Sequence, residues 1–133
     1  MKAEIRELVK ACTRASDEGK ENFGAIVTRL MQAGVERYHA DLLRSEKVYY
    51  LPDGESELVG NDPVGDVPAE TFSAAGVQAA VKAAQAGEIA YKTFCERVMA
   101  AGCAGYIVSL AGKRVIYYGR TGDMHTEWFP GAK

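Results

Sequence analysis

The 133-residue chain lacks most of the features by which a sequence declares a chemistry. It has only two histidines, His39 and His125, and three cysteines, Cys12, Cys95 and Cys103, with no CxxC pair among them. That spacing gives no zinc site and no even-numbered disulfide framework, so neither a metal nor a cofactor is expected. No apolar run approaches the roughly 20 residues that a membrane span requires. The first residues, MKAEIRELVK, mix charge into their apolar positions and do not make the hydrophobic region of a signal peptide. No membrane partner is therefore expected, and a reducing cytoplasm is the expected compartment. A basic stripe is also missing. The 16 basic and 18 acidic residues are interspersed, for a net charge of −2, so nucleic acid is not an expected partner. No phosphate-binding loop, zinc-protease helix, nucleophile elbow or dinucleotide fingerprint occurs, which lowers the expectation of an enzyme without removing it.

What the chain does have is a repeat. The stretch from Phe23 to Gly54 returns from Tyr91 to Gly122 without a gap, at an offset of 102 − 34 = 68 residues. At that offset Tyr38 meets Tyr106, Leu42 meets Leu110, Tyr49-Tyr50 meets Tyr117-Tyr118, and Gly54 meets Gly122. Ile5, Leu8, Val9 and Cys12 mark an amphipathic helix over about residues 3–16. A second helix, capped by Asn22, carries Phe23, Ile26, Val27, Leu30 and Met31 at helical spacing. Tyr91, Phe94, Cys95, Val98 and Met99 repeat that stripe, after a third helix that Ser73 is placed to cap. Each helix pair is followed by alternating, β-rich segments, at 35–43 and 47–51 in the first copy and 105–110 and 114–118 in the second. Short third strands are expected near Leu58-Val59 and over about 124–129.

The expected fold class is α+β: a tandem duplication of a helix-helix-strand-strand(-strand) unit, with an antiparallel sheet and helices packed on one face. The expected organisation is a single domain, 1–133, of two repeats at 3–59 and 71–129, joined by the linker 60–70. A unit of that size leaves a sheet face uncovered by itself, and two copies about a pseudo-two-fold axis resolve this within one chain.

The segment AYKTFC (residues 90–95), with the following Ala101-Gly102, Tyr106, Leu110 and Tyr117-Tyr118, resembles the YbcV-like family of small bacterial proteins. Members are often labelled phage envelope protein, and their function is uncharacterised. The resemblance covers roughly residues 22–128 and implies an α+β fold without a proven active site. It departs from the family pattern before Gly87, where AAVKAAQAG replaces a more polar, histidine-bearing helix.

The candidate ligand-binding residues are His39, Asp41, Tyr49 and Tyr117. His39 and Asp41 stand two apart on a strand and so project to one face, where a carboxylate orients an imidazole for general-base work. The plain alternative is a solvated polar sheet face. Tyr49 and Tyr117 are assigned to that same outward face and Tyr50 and Tyr118 to the core. With Ile107 and Val115 opposite His39 and Lys47, the second copy then presents the more apolar outer face. A homodimer through that face is the expected partner relation, with the linker around Val64 and Val67 as the competing cover. Cys12 and Cys95 fall on buried stripes, whereas Cys103 is the thiol expected to be accessible. His125 and Glu127 share a strand face but lack a third metal ligand. A non-catalytic binding or protein-interaction domain is the preferred reading. The alternative is a small enzyme using His39, Asp41 and a tyrosine in a cleft between the repeats.

Overall fold

The computed structural model describes residues 1–65 and 67–132; Asp66, inside the expected linker, and Lys133 lie outside the described residues. The elements run α1 (Ala3–Asp17), α2 (Phe23–Gln32), β1 (Arg37–Asp41), β2 (Glu46–Tyr50), β3 (Ser56–Gly60), α3 (Ala74–Gln85), α4 (Tyr91–Ala100), β4 (Cys103–Ser109), β5 (Arg114–Gly119) and β6 (Met124–Trp128). The class is α+β, as expected. Asn22 and Ser73 cap α2 and α3 by accepting hydrogen bonds from the Ala25 and Gly76 amides, at 2.9 and 3.0 Å. Among the described residues no helix is long and apolar enough to cross a membrane.

One six-stranded antiparallel sheet, ordered β3-β2-β1-β4-β5-β6, joins the two halves through its central pair. His39 stands opposite Ile107 there, and 107 − 39 = 68. A residue and its own counterpart therefore face each other, so a pseudo-two-fold axis passes between them. Apart from a bulge between Cys103 and Gly105 in β4, the other registers obey the same offset. Tyr38 pairs with Tyr49 as Tyr106 pairs with Tyr117, and Lys47 pairs with Val59 as Val115 pairs with Glu127. Even the connections match: the Leu42 amide donates to the Ala104 carbonyl and the Leu110 amide to the Glu36 carbonyl, at 3.1 and 3.0 Å.

All four helices lie on one face, with α1 against β3, α3 against β6 and α4 against β4. The core between helices and sheet holds Ile26, Leu30, Phe94 and Val98 from α2 and α4, and Tyr38, Tyr49, Tyr106, Val108, Val115 and Tyr117 from the strands. Among the described residues no element lies on the second face. Gly102, at φ +92°, ends the turn after α4 where a Cβ would lie 2.3 Å from the Thr71 carbonyl oxygen, so glycine is obligatory there.

Two expectations are corrected. Tyr49 and Tyr117 face the helices, and Tyr50 and Tyr118 face outward, because Tyr49 is the direct partner of inward-facing Tyr38 and side chains alternate from that point. Lys47 and Val115 are inward by the same parity. The linker is not the cover of the outer face either: Val64 packs against the helix-side core, and Val67 is exposed.

Leu30, on the stripe of α2, is fully buried. Leu30→Ala is expected to cost about 2–5 kcal/mol in equilibrium chemical unfolding, through lost transfer energy and the cavity left behind. A cost under about 1 kcal/mol would show that the helix layer closes over the gap.

Candidate functional site

The structure separates the four candidate residues. His39 and Asp41 share the outer face, while Tyr49 and Tyr117 are buried beneath the helices. Asp41 does not serve His39. Its Oδ1 accepts from the Leu43 and Arg44 amides at 3.1 and 3.0 Å and so holds the β1–β2 turn. Ser109, its counterpart, does the same for the β4–β5 turn, where its Oγ accepts from the Gly112 amide at 2.8 Å. A role shared by a carboxylate and a hydroxyl at equivalent places is turn closure.

His39 instead meets Tyr118: Nε2 lies 2.6 Å from the tyrosine hydroxyl and the rings stack with centroids 5.7 Å apart. Tyr118 crosses β4 to reach it, which only Gly105 permits, since a Cβ at that position would come within 2.2 Å of the Tyr118 hydroxyl. In the first half Arg37 stands where Gly105 stands, and its guanidinium lies 4.0 Å above the Tyr50 ring. Burial, with the nearby Asp41 carboxylate, pushes the Tyr118 hydroxyl above its ordinary pKa.

The outer face falls into three rows across the sheet. Leu58, Val48, His39, Ile107, Ile116 and Thr126 form the middle row. One flank holds Tyr50, Arg37, Arg114 and Trp128, with a second guanidinium stack of Arg114 on Trp128 at 4.4 Å. The opposite flank holds Glu46, Asp41 and Tyr118. The ends are open, with Leu58 58 % and Met124 68 % exposed.

The helix side contains a group that the sequence pattern did not single out. Lys47 is 3 % exposed, and among the described residues its ammonium makes no ion pair. Its Nζ lies 4.4 Å from the centre of the Tyr91 ring and 5.9 Å from that of Tyr38. Tyr91 in turn shares a 2.7 Å hydroxyl hydrogen bond with Tyr106. Thr13 donates its hydroxyl proton to the Val9 carbonyl and accepts from Tyr49 at 2.8 Å. Burial lowers the Lys47 pKa from 10.5 to about 8, against the opposing pull of Cys95 and Asp17. Burial likewise pushes the Cys95 thiol up to about 11 and holds the Tyr91 and Tyr106 hydroxyls well above their usual range. A reactive thiolate is thus disfavoured here, and the phenols stay protonated.

The second half supplies the comparison. Where the first has Lys47, Thr13 and Asn61, with Tyr91 and Cys95 reaching over from α4, the equivalent positions hold Val115, Val81 and Phe129, with Phe23 and Val27 on α2. Phe23 and Phe129 pack edge to face at 5.6 Å. At these compared positions the same scaffold is therefore filled twice, once with polar groups and once with apolar side chains.

The signal that finds Lys47 in the sequence is its parity with Tyr49, two residues on, together with valine at its counterpart. Cys103, expected to be accessible, is fully buried and donates to the Gly105 carbonyl at 3.2 Å, because β4 starts directly beneath α4. His125 and Glu127 face the helix side half-buried, 3.5 Å apart. Among the described residues no group of three or more metal-ligating side chains comes together.

Residues 65–127 match the family model of a protein of unknown function, DUF1398. The match covers just under half of the chain, and it holds α3 to β5 and most of β6, the second helix-helix-strand unit. No curated protein matches the chain.

The buried amine leaves a mark on stability. Between pH 8 and 10.5 the unfolded lysine keeps its proton while the folded one has lost it, so stability rises with pH across that window and is level below it. The stability of the wild type minus that of Lys47→Met is expected to grow by up to about 3 kcal/mol from pH 8 to 10.5. Taking the difference cancels the thiols and phenols. Chemical unfolding at several pH values checks this, and a flat difference would show that Lys47 ionises as it does in water.

Proposed function

We propose that this chain is a non-catalytic binding domain of two repeats, 3–59 and 71–129 around the linker 60–70, that docks a second copy of itself through its open sheet face. The observation that carries this reading is the row pattern of that face. An apolar band of Leu58, Val48, Ile107 and Ile116 runs between a flank bearing Arg37 and Arg114 and a flank bearing Asp41 and Glu46. Burial of such a band is favourable by roughly 25 cal/mol per Å² of apolar surface.

The charge pattern selects the occupant and its orientation. Turned about a two-fold axis that lies in the interface across the strands, a second copy sets its arginine flank on the first copy's acidic flank and its apolar band on the apolar band. A two-fold axis along the strands sets arginine on arginine and is disfavoured. In the favoured arrangement the two His39 side chains meet near the centre. Catalysis by His39 and Asp41 has less support, since the carboxylate is committed to its turn and Tyr49 lies on the other side of the sheet. The reducing cytoplasm suits the three free thiols.

Ile107→Lys is the test. Ile107 is half-buried on the outer face, so a lysine there keeps water in the free chain and loses it only in a dimer. Sedimentation is expected to show a wild-type dimer and an Ile107→Lys monomer with unchanged circular dichroism. A wild type that stays monomeric at high concentration overturns the proposal.

A further inference from the structure

The two edges of the sheet are built differently. Beside β2, the Leu51 amide donates to the Glu55 carbonyl at 2.9 Å and the Asn61 amide to the Ser45 carbonyl at 2.7 Å. By the alternation of an antiparallel ladder in this register, Glu57 and Val59 bond to β2 as well. Ser56, Leu58 and Gly60 therefore turn their N–H and C=O groups away from the sheet, and all three residues are exposed. β3 carries no proline, no lysine and no bulge, three common defences of an edge. A Cβ built on Gly60 would meet nothing within 4 Å. On β6 the equivalent residue is Trp128, half-buried and stacked with Arg114.

α1 runs alongside β3 in the same direction. Arg6 Nε lies 3.7 Å from Glu57 Oε1, and further on Asp17 accepts from the Asn61 side chain and the Asp62 amide at 3.0 and 3.1 Å. Between helix and strand is a groove of about 410 Å³, lined by Lys10, Arg14 and Glu18 on one side and Leu58, Val59 and Gly60 on the other. That volume is in the range of ligand clefts. Its charge is ordered along the strand. Between the two ties, Lys10 and Arg14 fall level with Val59. Arg14 makes no ion pair among the described residues, and Lys10 has only Glu7, at 3.9 Å. The end near Asn61 is acidic, with Asp17, Asp62 and Glu18, the last paired with Lys20 at 3.3 Å.

We propose that this groove takes an extended peptide that adds to β3 as a further antiparallel strand, with a basic residue and, two positions later, an acidic one facing α1. The outward N–H and C=O groups of Ser56, Leu58 and Gly60 supply backbone bonds that any sequence satisfies, and the groove charges supply the selection. A strand antiparallel to β3 also runs against α1, so its basic residue stands opposite Asn61, beside Asp62, Asp17 and Glu18. Its acidic residue then stands opposite Val59, between Lys10 and Arg14. Positions two apart on a strand are separated by ~6.7 Å, close to the ~6 Å of the helical turn from Arg14 to Glu18. The reverse order of charges sets like on like. The site is the strand's edge and its helix side, so it stands whether or not the outer face docks a second copy.

The probe is a blocked heptapeptide, Thr-Val-Lys-Val-Glu-Val-Thr, titrated into the isotope-labelled full chain and followed by amide NMR. Binding is expected to shift the Ser56, Leu58 and Gly60 amides and slow their exchange with solvent, while the amides of β6 stay where they are. The charge-swapped peptide, with glutamate before lysine, is expected to bind at least ~5-fold more weakly, since two exposed ion pairs become two repulsions. N-methylation of the valine between lysine and glutamate removes the N–H that meets the Gly60 carbonyl. It is expected to weaken binding ~10-fold without touching the protein. Arg14→Glu, at an exposed helix position, is expected to abolish the preference between the two charge orders with the fold intact. No binding at millimolar peptide, equal affinity for the swapped or N-methylated peptide, an undiminished preference in Arg14→Glu, or shifts centred on β6 overturns the proposal. Leu58 and Gly60 amides already protected in the peptide-free chain at high concentration would place a second copy on this edge and overturn it too.

Discussion

The pairing of β1 with β4 is the constraint on which the rest of the molecule depends. Without it there are two three-stranded sheets, each with an unpaired edge and too small a helix layer to bury its core. With it, Tyr38 and Tyr106 pack at a centroid distance of 6.4 Å across the join, and Tyr91, hydrogen-bonded to Tyr106 of its own half, reaches Lys47 of the first. The join sits on the pseudo-two-fold axis, at His39 and Ile107. A residue on such an axis faces its own counterpart, so a like charge at both places would repel. One neutral aliphatic and one imidazole avoid that outcome.

Close repetition of backbone coexists with divergence of side chains. The two turns carry the same left-handed residue, Ser45 at φ 55° and Lys113 at φ 54°, although neither is glycine. Asp41 and Ser109 close those turns with different chemistry. Backbone geometry is set by hydrogen-bonding positions that several residue types satisfy, whereas the space between helices and sheet is set by volume. Within that space polar and apolar fillings alternate between halves, which is why Lys47 and Val115 sit in equivalent places.

The repeat, the helices and their caps were legible in the sequence because each rests on local signals: a 3.6-residue stripe, an asparagine or serine before it, a glycine after it. The faces of β2 and β5 were not. Parity on a strand depends on its partner's register, and the double tyrosines Tyr49-Tyr50 and Tyr117-Tyr118 offer an aromatic to either side. The lysine at 47 then reinforced the wrong choice, because charge is ordinarily outside. That one error moved Tyr49 and Tyr117 into the candidate site and hid Lys47 from it. Tyr118 was missed for a related reason: its reach to His39, two strands away, depends on the absence of a side chain at Gly105 on the strand between them.

The central pair also divides the folding problem. Hairpins β1–β2–β3 and β4–β5–β6 close over short turns, but Arg37 and Ser109 are 109 − 37 = 72 residues apart when they pair. Local contacts are close in the chain, whereas the β1–β4 pairing bears the largest loop-closure entropy and is expected to limit the folding rate. Because the two halves present the same register, β1 of one chain matches β4 of another as well as its own. The joining strand pair is thus the place where intramolecular folding competes with exchange of halves between chains, and the chain between the repeats sets the effective concentration that decides the contest.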